Sequence, residues 1–444
     1  MPESVESCEE AFRAFGKNKG GGSPSWVRPI RAEAITKFRE IGFPTPRLED
    51  WKYTNVAPYV RTPFQFSFEP PGNGLDEKKI SSLLMGEPGG PVLIFVNGHF
   101  CEKYSRPSSL AAQTGSLARA LEKDPGICRR YLTQIAPSGQ NGFTALNAAF
   151  IHDGAFIHLP EGKISEKPVH LIFISLPSTD QLLIQPRNLI VLEKSSRATL
   201  IETYVSFSER PYFTNAVTEI AVGEGAALNH LKIQMESGGD AAHVAGIQAR
   251  VDKGGLYHSF SLSLGAKLDR ENLNVLLEAE GAECHLDGLY LVSHGRHVDH
   301  HTVIDHKRPR GRSRQLYKGI LDGKSTDVFN GKVFVRREAE KTDASQTNKN
   351  ILLSAQATVD TKPQLEIDTD DVKCTHGAAV GQLDEDQIFY LKSRGIGPGE
   401  ARNILTRGFA ADVMERIENE AVRARLTEWV WDWLETGRRE KEKP

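Results

Sequence analysis

NLIVLEKSSRATLIETYV (Asn188–Val205) is an apolar run, a polar turn and a second apolar run. Asn188–Lys194 and Ala198–Val205 are rich in β-branched residues and have the length of strands. EKSSRA (Glu193–Ala198), centred on Ser196, supplies the turn. Similar turns follow: GEGAAL on Gly225, DKGGLY on Gly254 and AEGAEC on Gly281, at spacings of 29, 29 and 27 residues. Each leads into another run of alternating apolar residues. A repeat of this length predicts stacked coils, and strands in place of helices make the unit one coil of a β-helix. A β-sandwich is the competing reading, because strands and turns alone do not separate the two. A stack of coils has open ends, and covering them gives flanking helical regions a physical role.

Upstream, residues 1–150 read as a mainly helical domain. Cys8–Phe15 forms a short helix that GKNKGGGSPS (Gly16–Ser25) interrupts. Arg31–Gly42 places Ile35, Phe38 and Ile41 on one side of a longer helix. Trp51 and Tyr53 form a packing anchor or a contact surface, packing being the favoured reading. Gly90–Phe100 (GPVLIFVNGHF) is a strand closed by Asn97-Gly98. Ser116–Glu122 and Phe143–Phe150 are further short helices.

Downstream, the β-helix core extends over 151–383. His294–His306 (HGRHVDHHTVIDH) is the densest cluster of metal-ligand side chains. Alternation puts His297, Asp299 and His301 on one face and Val298, His300 and Thr302 on the other. A hydrogen-bonded ladder on stacked coils explains them better than a metal site, because no third convergent element is visible. Arg308–Gly319 (RPRGRSRQLYKG) reads as a solvated basic loop balanced by acids elsewhere, in preference to a nucleic-acid contact. Residues 384–444 form a C-terminal helical domain. Ala401, Ile404, Leu405, Phe409, Val413 and Ile417 mark one helix face, and Val422, Leu426, Trp429, Val430 and Trp433 a second. So short a segment buries little by itself, which leaves apolar surface for a partner.

Asp370–Ile396 (DDVKCTHGAAVGQLDEDQIFYLKSRGI) begins as a strand in which Cys374 and His376 share a face, ~6.6 Å apart. Gly377 permits a bend, and Asp384 opens a helix. Cys-x-His is half of a four-ligand iron or zinc site, and the other ligands must come from elsewhere in the chain or from a second chain. Lys373 and a protonated His376 would favour the Cys374 thiolate. On these residues alone, a small buried thiol beside a hydrogen-bonded imidazole is the simpler reading.

Bulk properties exclude several classes. The chain has 444 residues, with 55 Lys and Arg against 58 Asp and Glu, so bulk charge does not mark a nucleic-acid or membrane-surface protein. No apolar run reaches the ~18 residues of a membrane span, and the acidic start does not read as a secretory signal. Five widely spaced cysteines without a CxxC point to a reducing, cytoplasmic setting. No GxxxxGK[ST] occurs, so ATP hydrolysis is not expected of this chain.

KPQLEI (Lys362–Ile367), the stretch Asp370–Ile396 and the distant FPTPRLEDWKYTNV (Phe43–Val56) together resemble the SufB/SufD family, on its SufD side, and bracket nearly the whole chain. The family contains scaffold subunits of the SUF (SufBCD) machinery for iron–sulfur cluster assembly. The resemblance implies a mainly β fold, a central right-handed parallel β-helix between helical domains. It implies a heterodimer with SufB, docking of the ATPase SufC, and apoprotein acceptors reached indirectly. It implies a non-catalytic scaffold in which His376 and Cys374 bind metal and a transient Fe–S cluster shared with SufB; reduced flavin is a further cofactor the complex could carry. Phe389, Tyr390, Ala401, Leu405 and Phe409 would meet SufC. SufB carries a cysteine after the glutamine where this chain has Gln346-Thr347, and an acidic ligand after the histidine where it has His376-Gly377. These departures imply that the chain contributes to a shared site. The alternatives are a metal-binding homodimer and a carbohydrate-cleaving β-helix enzyme; dispersed acids and the lack of an export signal argue against the latter.

Overall fold

The computed structural model describes residues 3–18, 24–66, 75–85, 89–108, 112–236 and 239–439. The break expected at Gly16–Ser25 lies partly outside them; the first helix runs Glu3–Asn18.

The centre is a parallel β-helix. Two sheets, of eleven and ten strands, run side by side, and the chain alternates between them. Arg187–Leu192, Tyr212–Val222, Ala242–Val251, Leu268–Leu277, His297–His306, Thr326–Val335 and Thr358–Ile367 stack in the first sheet. Arg197–Ser206, Ala227–Met235, Leu256–Ser263, Glu283–Val292, Arg312–Leu321, Asp343–Leu352 and Lys373–Gly381 stack in the second. Registers hold without slip: Ala249, Val275, Ile304, Val333 and Leu365 form one ladder along the inside of the first sheet. Such columns of like side chains bury each coil against the next, which is why no single coil needs its own core.

One corner of every coil turns through a left-handed residue. Ser195, Gly225, Gly254, Gly281, Arg310 and Lys341 have φ between 58° and 68°. Each donates its amide to a carbonyl in the next coil's turn: Ser195 to Glu224, Gly225 to Lys253, Gly254 to Glu280, Gly281 to Pro309, Arg310 to Glu340 and Lys341 to Asp371. The turns therefore stack as regularly as the strands. The repeat seen at glycines continues through positions held by arginine and lysine.

Arg308–Gly319 departs from the loop reading. Only its first residues form a turn; Arg312–Leu321 is a strand, with Tyr317 fully buried inside the rod. The expected acid balance is present, in Arg308–Glu338, Arg310–Glu280 and Arg314–Asp343 pairs. Gly377 makes no bend either. It lies within Lys373–Gly381, paired with Thr347, and the helix Glu385–Ser393 starts only after the Asp384 side chain caps the Asp386 amide.

The N-terminal helices pack on the first sheet. Phe38, Trp51, Phe143 and Phe150 share a buried cluster with Leu189, Phe213 and Val244 of the strands. The C-terminal helices Pro398–Met414 and Glu420–Arg439 lie on the second sheet. Val413, Met414, Ile417, Val422, Leu426 and Val430 are buried against Leu231, Ile233, Phe260, Leu289 and Ile320. Much of the surface expected to be left for a partner is taken up here, while Ile404 stays 42% exposed. The surface they needed is the outside of the rod, which their own periodicity does not reveal.

Candidate site at the open end of the rod

The two ends of the rod differ. At the N-terminal end the sheets finish in short antiparallel strands, Gln113–Ser116 and His99–Phe100. At the other end they finish in Thr358–Ile367 and Lys373–Gly381, ten and nine residues long. Both are edge strands. Long unprotected edges are templates for pairing with another chain, and folded proteins usually shorten or cover them.

Cys374 and His376 lie on the second of these strands. Register places Cys374 over Ala344 and His376 over Gln346, both buried and facing the lumen. The pair therefore sits on the inward face of the last coil, with no further coil above it. Cys374 is half-buried against the apolar core, His376 is exposed, and Val380 beyond them is 45% exposed. The thiolate expectation is not met. Burial pushes the Cys374 thiol up, a hydrogen bond with the Ala344 backbone pulls it back in part, and the Asp343 charge raises it further. Lys373, which was to supply the positive field, alternates to the other face of the strand.

The two positions that depart from the SufB pattern come together here. Gln346 is the register partner of His376 and Thr347 that of Gly377. Gln346 is buried and donates to Gln315 Oε1 at 3.0 Å; Gln315 donates to Thr302 Oγ1 at 2.6 Å. In the sequence Gln346 stands out only through its neighbour Thr347; its place beneath His376 needs the strand register.

The histidine-rich strand His297–His306 works outward as well as inward. On its outer face Asp299 pairs with Arg270 at 2.5 Å and with His301 at 3.0 Å, and it accepts a hydrogen bond from Thr54. Thr54 Oγ1 is also 2.8 Å from His297 Nε2. The Arg270 guanidinium lies 3.6 Å from the centre of the Trp51 ring. Trp51 is buried, as the packing reading required, whereas Tyr53 is 42% exposed. Among the described residues, no three His, Cys, Asp or Glu side chains converge as a metal would require. His297 and Asp299 hold Thr54, and with it the segment Phe43–Val56, on the rod.

The residues expected to meet SufC separate into two groups. Phe389 and Tyr390 are 69% and 57% exposed. Ala401 is fully buried beside Ile351, Leu383 and Ile388, and Leu405 and Phe409 pack against the same cluster. Phe409 also receives Lys318, whose ammonium lies 4.4 Å from the ring centre and donates to the Phe409 carbonyl at 2.9 Å. Ala401 is thus a packing residue and offers a partner nothing in this conformation.

The chain is similar to known proteins along most of its length. Residues 175–409 match the family model described as SUF system FeS cluster assembly, SufBD core domain, and residues 10–171 match the SufBD protein N-terminal region. The chain is 32% identical over 413 residues to an iron–sulfur cluster assembly SufBD family protein of Synechocystis, covering 90% of this chain and 89% of the relative. It is 29% identical over 441 residues to the iron–sulfur cluster assembly protein SufD of Escherichia coli, covering 99% of both. It is 25% identical over 443 residues to SufD of Bacillus subtilis, covering 94% and 96%.

Proposed function

Because the chain belongs to the SufB/SufD family of iron–sulfur cluster assembly proteins, we propose that its open end is the surface on which a cluster is built with a second subunit. The observation that carries this reading is the placement of Cys374 and His376 on the luminal face of an uncovered terminal coil. A SufB subunit seated there pairs the exposed edges and adds the ligands that a Cys-x-His pair lacks. His376 is the ligand this chain offers. Cys374, protonated until metal arrives, is the auxiliary thiol, since a coordinating thiol must give up its proton.

In this reading the chain is a non-catalytic cytoplasmic scaffold. The ATPase SufC docks through Phe389 and Tyr390 on the exposed face of Glu385–Ser393. The cluster is cargo, passed on to apoproteins.

Co-purification with SufB and SufC, then anaerobic reconstitution followed by absorbance, tests this. His376→Ala is expected to keep the complex and lose the cluster absorbance. Full cluster yield from that variant removes the ligand assignment. A stable homodimer that never exchanges with SufB favours a self-sufficient metal-binding protein.

A further inference from the structure

One inward-facing column of the second sheet is polar toward the open end. It runs Ser259, Leu286, Gln315, Gln346 and His376, in register from coil to coil. Neighbouring rungs of such a column lie ~4.8 Å apart, within reach of a carboxamide. Gln346 Nε2 donates to Gln315 Oε1 at 3.0 Å, and Gln315 Nε2 donates to Thr302 Oγ1 of the facing sheet at 2.6 Å. The bonds all run one way. Each rung gives its N–H to a group further from the open end.

This ladder lacks its last rung. Gln346 is 1% exposed, and its Oε1 is buried with no hydrogen-bond partner among the described residues. Its nitrogen is committed to Gln315 and fills the space left by Gly331, where an added Cβ would overlap it. A buried carbonyl oxygen of this kind calls for a donor. The next position in the column is His376. On the facing sheet the residue paired with Gly331 in the last coil is Pro363, whose side chain offers no polar atom. Thr361, two residues earlier, has an unmet hydroxyl of its own. The His376 imidazole is exposed, because no coil lies above it, and exposed side chains exchange rotamers readily.

We propose that Gln346 is the positioning residue of His376: the imidazole gives one ring N–H to Gln346 Oε1, completing the ladder, and turns its other nitrogen out of the open end. A neutral imidazole has one N–H and one acceptor nitrogen, so holding the first decides which atom meets a metal. Metal-bound histidines almost always give their second N–H to an outer partner, and losing that partner lowers metal affinity ~10–100-fold. The use of the contact at a metal rests on the function proposed above. The contact itself does not.

Histidine-selective ¹⁵N labelling of the full chain, at a pH of about 8 where an ordinary imidazole is neutral, shows which ring nitrogen of His376 holds the proton. The wild type is expected to show one tautomer. Gln346→Leu is expected to let both nitrogens share the proton, with intermediate shifts for each. Gln346→Glu keeps an acceptor and is expected to keep the single tautomer, and Thr361→Val to change nothing. A shared proton in the wild type overturns the contact without recourse to any variant, and so does a single tautomer that survives in Gln346→Leu. The second arm is anaerobic reconstitution of the complex with SufB and SufC, using ferrous ion and sulfide. Gln346→Leu is expected to need at least about tenfold more iron for half-maximal cluster absorbance. Wild-type iron dependence in Gln346→Leu, with His376→Ala still losing the cluster, overturns this inference alone. Undiminished cluster in His376→Ala overturns the ligand assignment instead, on which the tautomer arm does not depend.

Discussion

Lys362 Nζ lies 2.5 Å from Glu49 Oε1, across 313 residues of chain. The contact joins the two segments whose sequences carry the family resemblance, and a second pair, Lys332–Asp50 at 2.8 Å, lies one coil below. Both are at the surface, where such pairs set position more than stability. Reversing one charge, Lys362→Glu, is expected to speed hydrogen exchange in residues 43–56, and adding Glu49→Lys to slow it again. Unchanged exchange in the single variant would separate the segment's docking from this pair.

Beneath them, Arg270 is 1% exposed and Asp299 0% exposed. Burial pulls the Arg270 guanidinium down, and the Asp299 charge opposes this. Removing one member of a buried pair strands the other, at a cost of ~3–5 kcal/mol. Arg270→Met is therefore expected to lose about that much in urea unfolding, and Arg270→Met with Asp299→Leu to recover most of it. Arg270→Lys should not rescue, since an ammonium does not present a plane to Trp51.

Two glycines give opposite expectations. A Cβ on Gly319 would lie 2.1 Å from the Tyr290 ring and 2.2 Å from Asn350 Oδ1. Overpacking of that kind costs ~1–3 kcal/mol or more. Around Gly377 nothing lies within 4 Å, so Gly377→Ala should stay within ~0.5 kcal/mol. Thermal unfolding of the two variants side by side distinguishes a filled lumen from an open end.

The rod should weaken in mild acid. Burial lowers His170 and His306 each to about 4. An unfolded histidine takes its proton near ~6.5, so on acidification the unfolded state binds protons first. Stability is full above that value and is lost as pH falls toward about 4, at ~2 kcal/mol for each histidine by pH 5. Urea midpoints at pH 7.5 and 5 measure it, and His306→Asn should flatten the profile by its own share.

Where the lumen is apolar, the fold was legible from alternation alone, as in Asn188–Val205. Where the inward residues are Ser313, Gln315 and Tyr317 between Arg312, Arg314 and Leu316, period-two contrast disappears and a strand looks like a basic loop. Turns were visible at Gly225, Gly254 and Gly281 because glycine favours the left-handed region. Arg310 and Lys341 adopt it too, held by the amide each gives to the next turn. Cys374 and His376 could be placed side by side from spacing. That they crown the rod, with Gln346 below, follows from register over the whole stack, which no local pattern contains.

The terminal coil exposes two edges at once, Thr358–Ile367 and Lys373–Gly381, on sheets that face each other across one lumen. A mate that contributes a single strand satisfies one and leaves the other bare. A two-sheeted coil of the same kind meets both edges at once, as the pairing proposed above supplies.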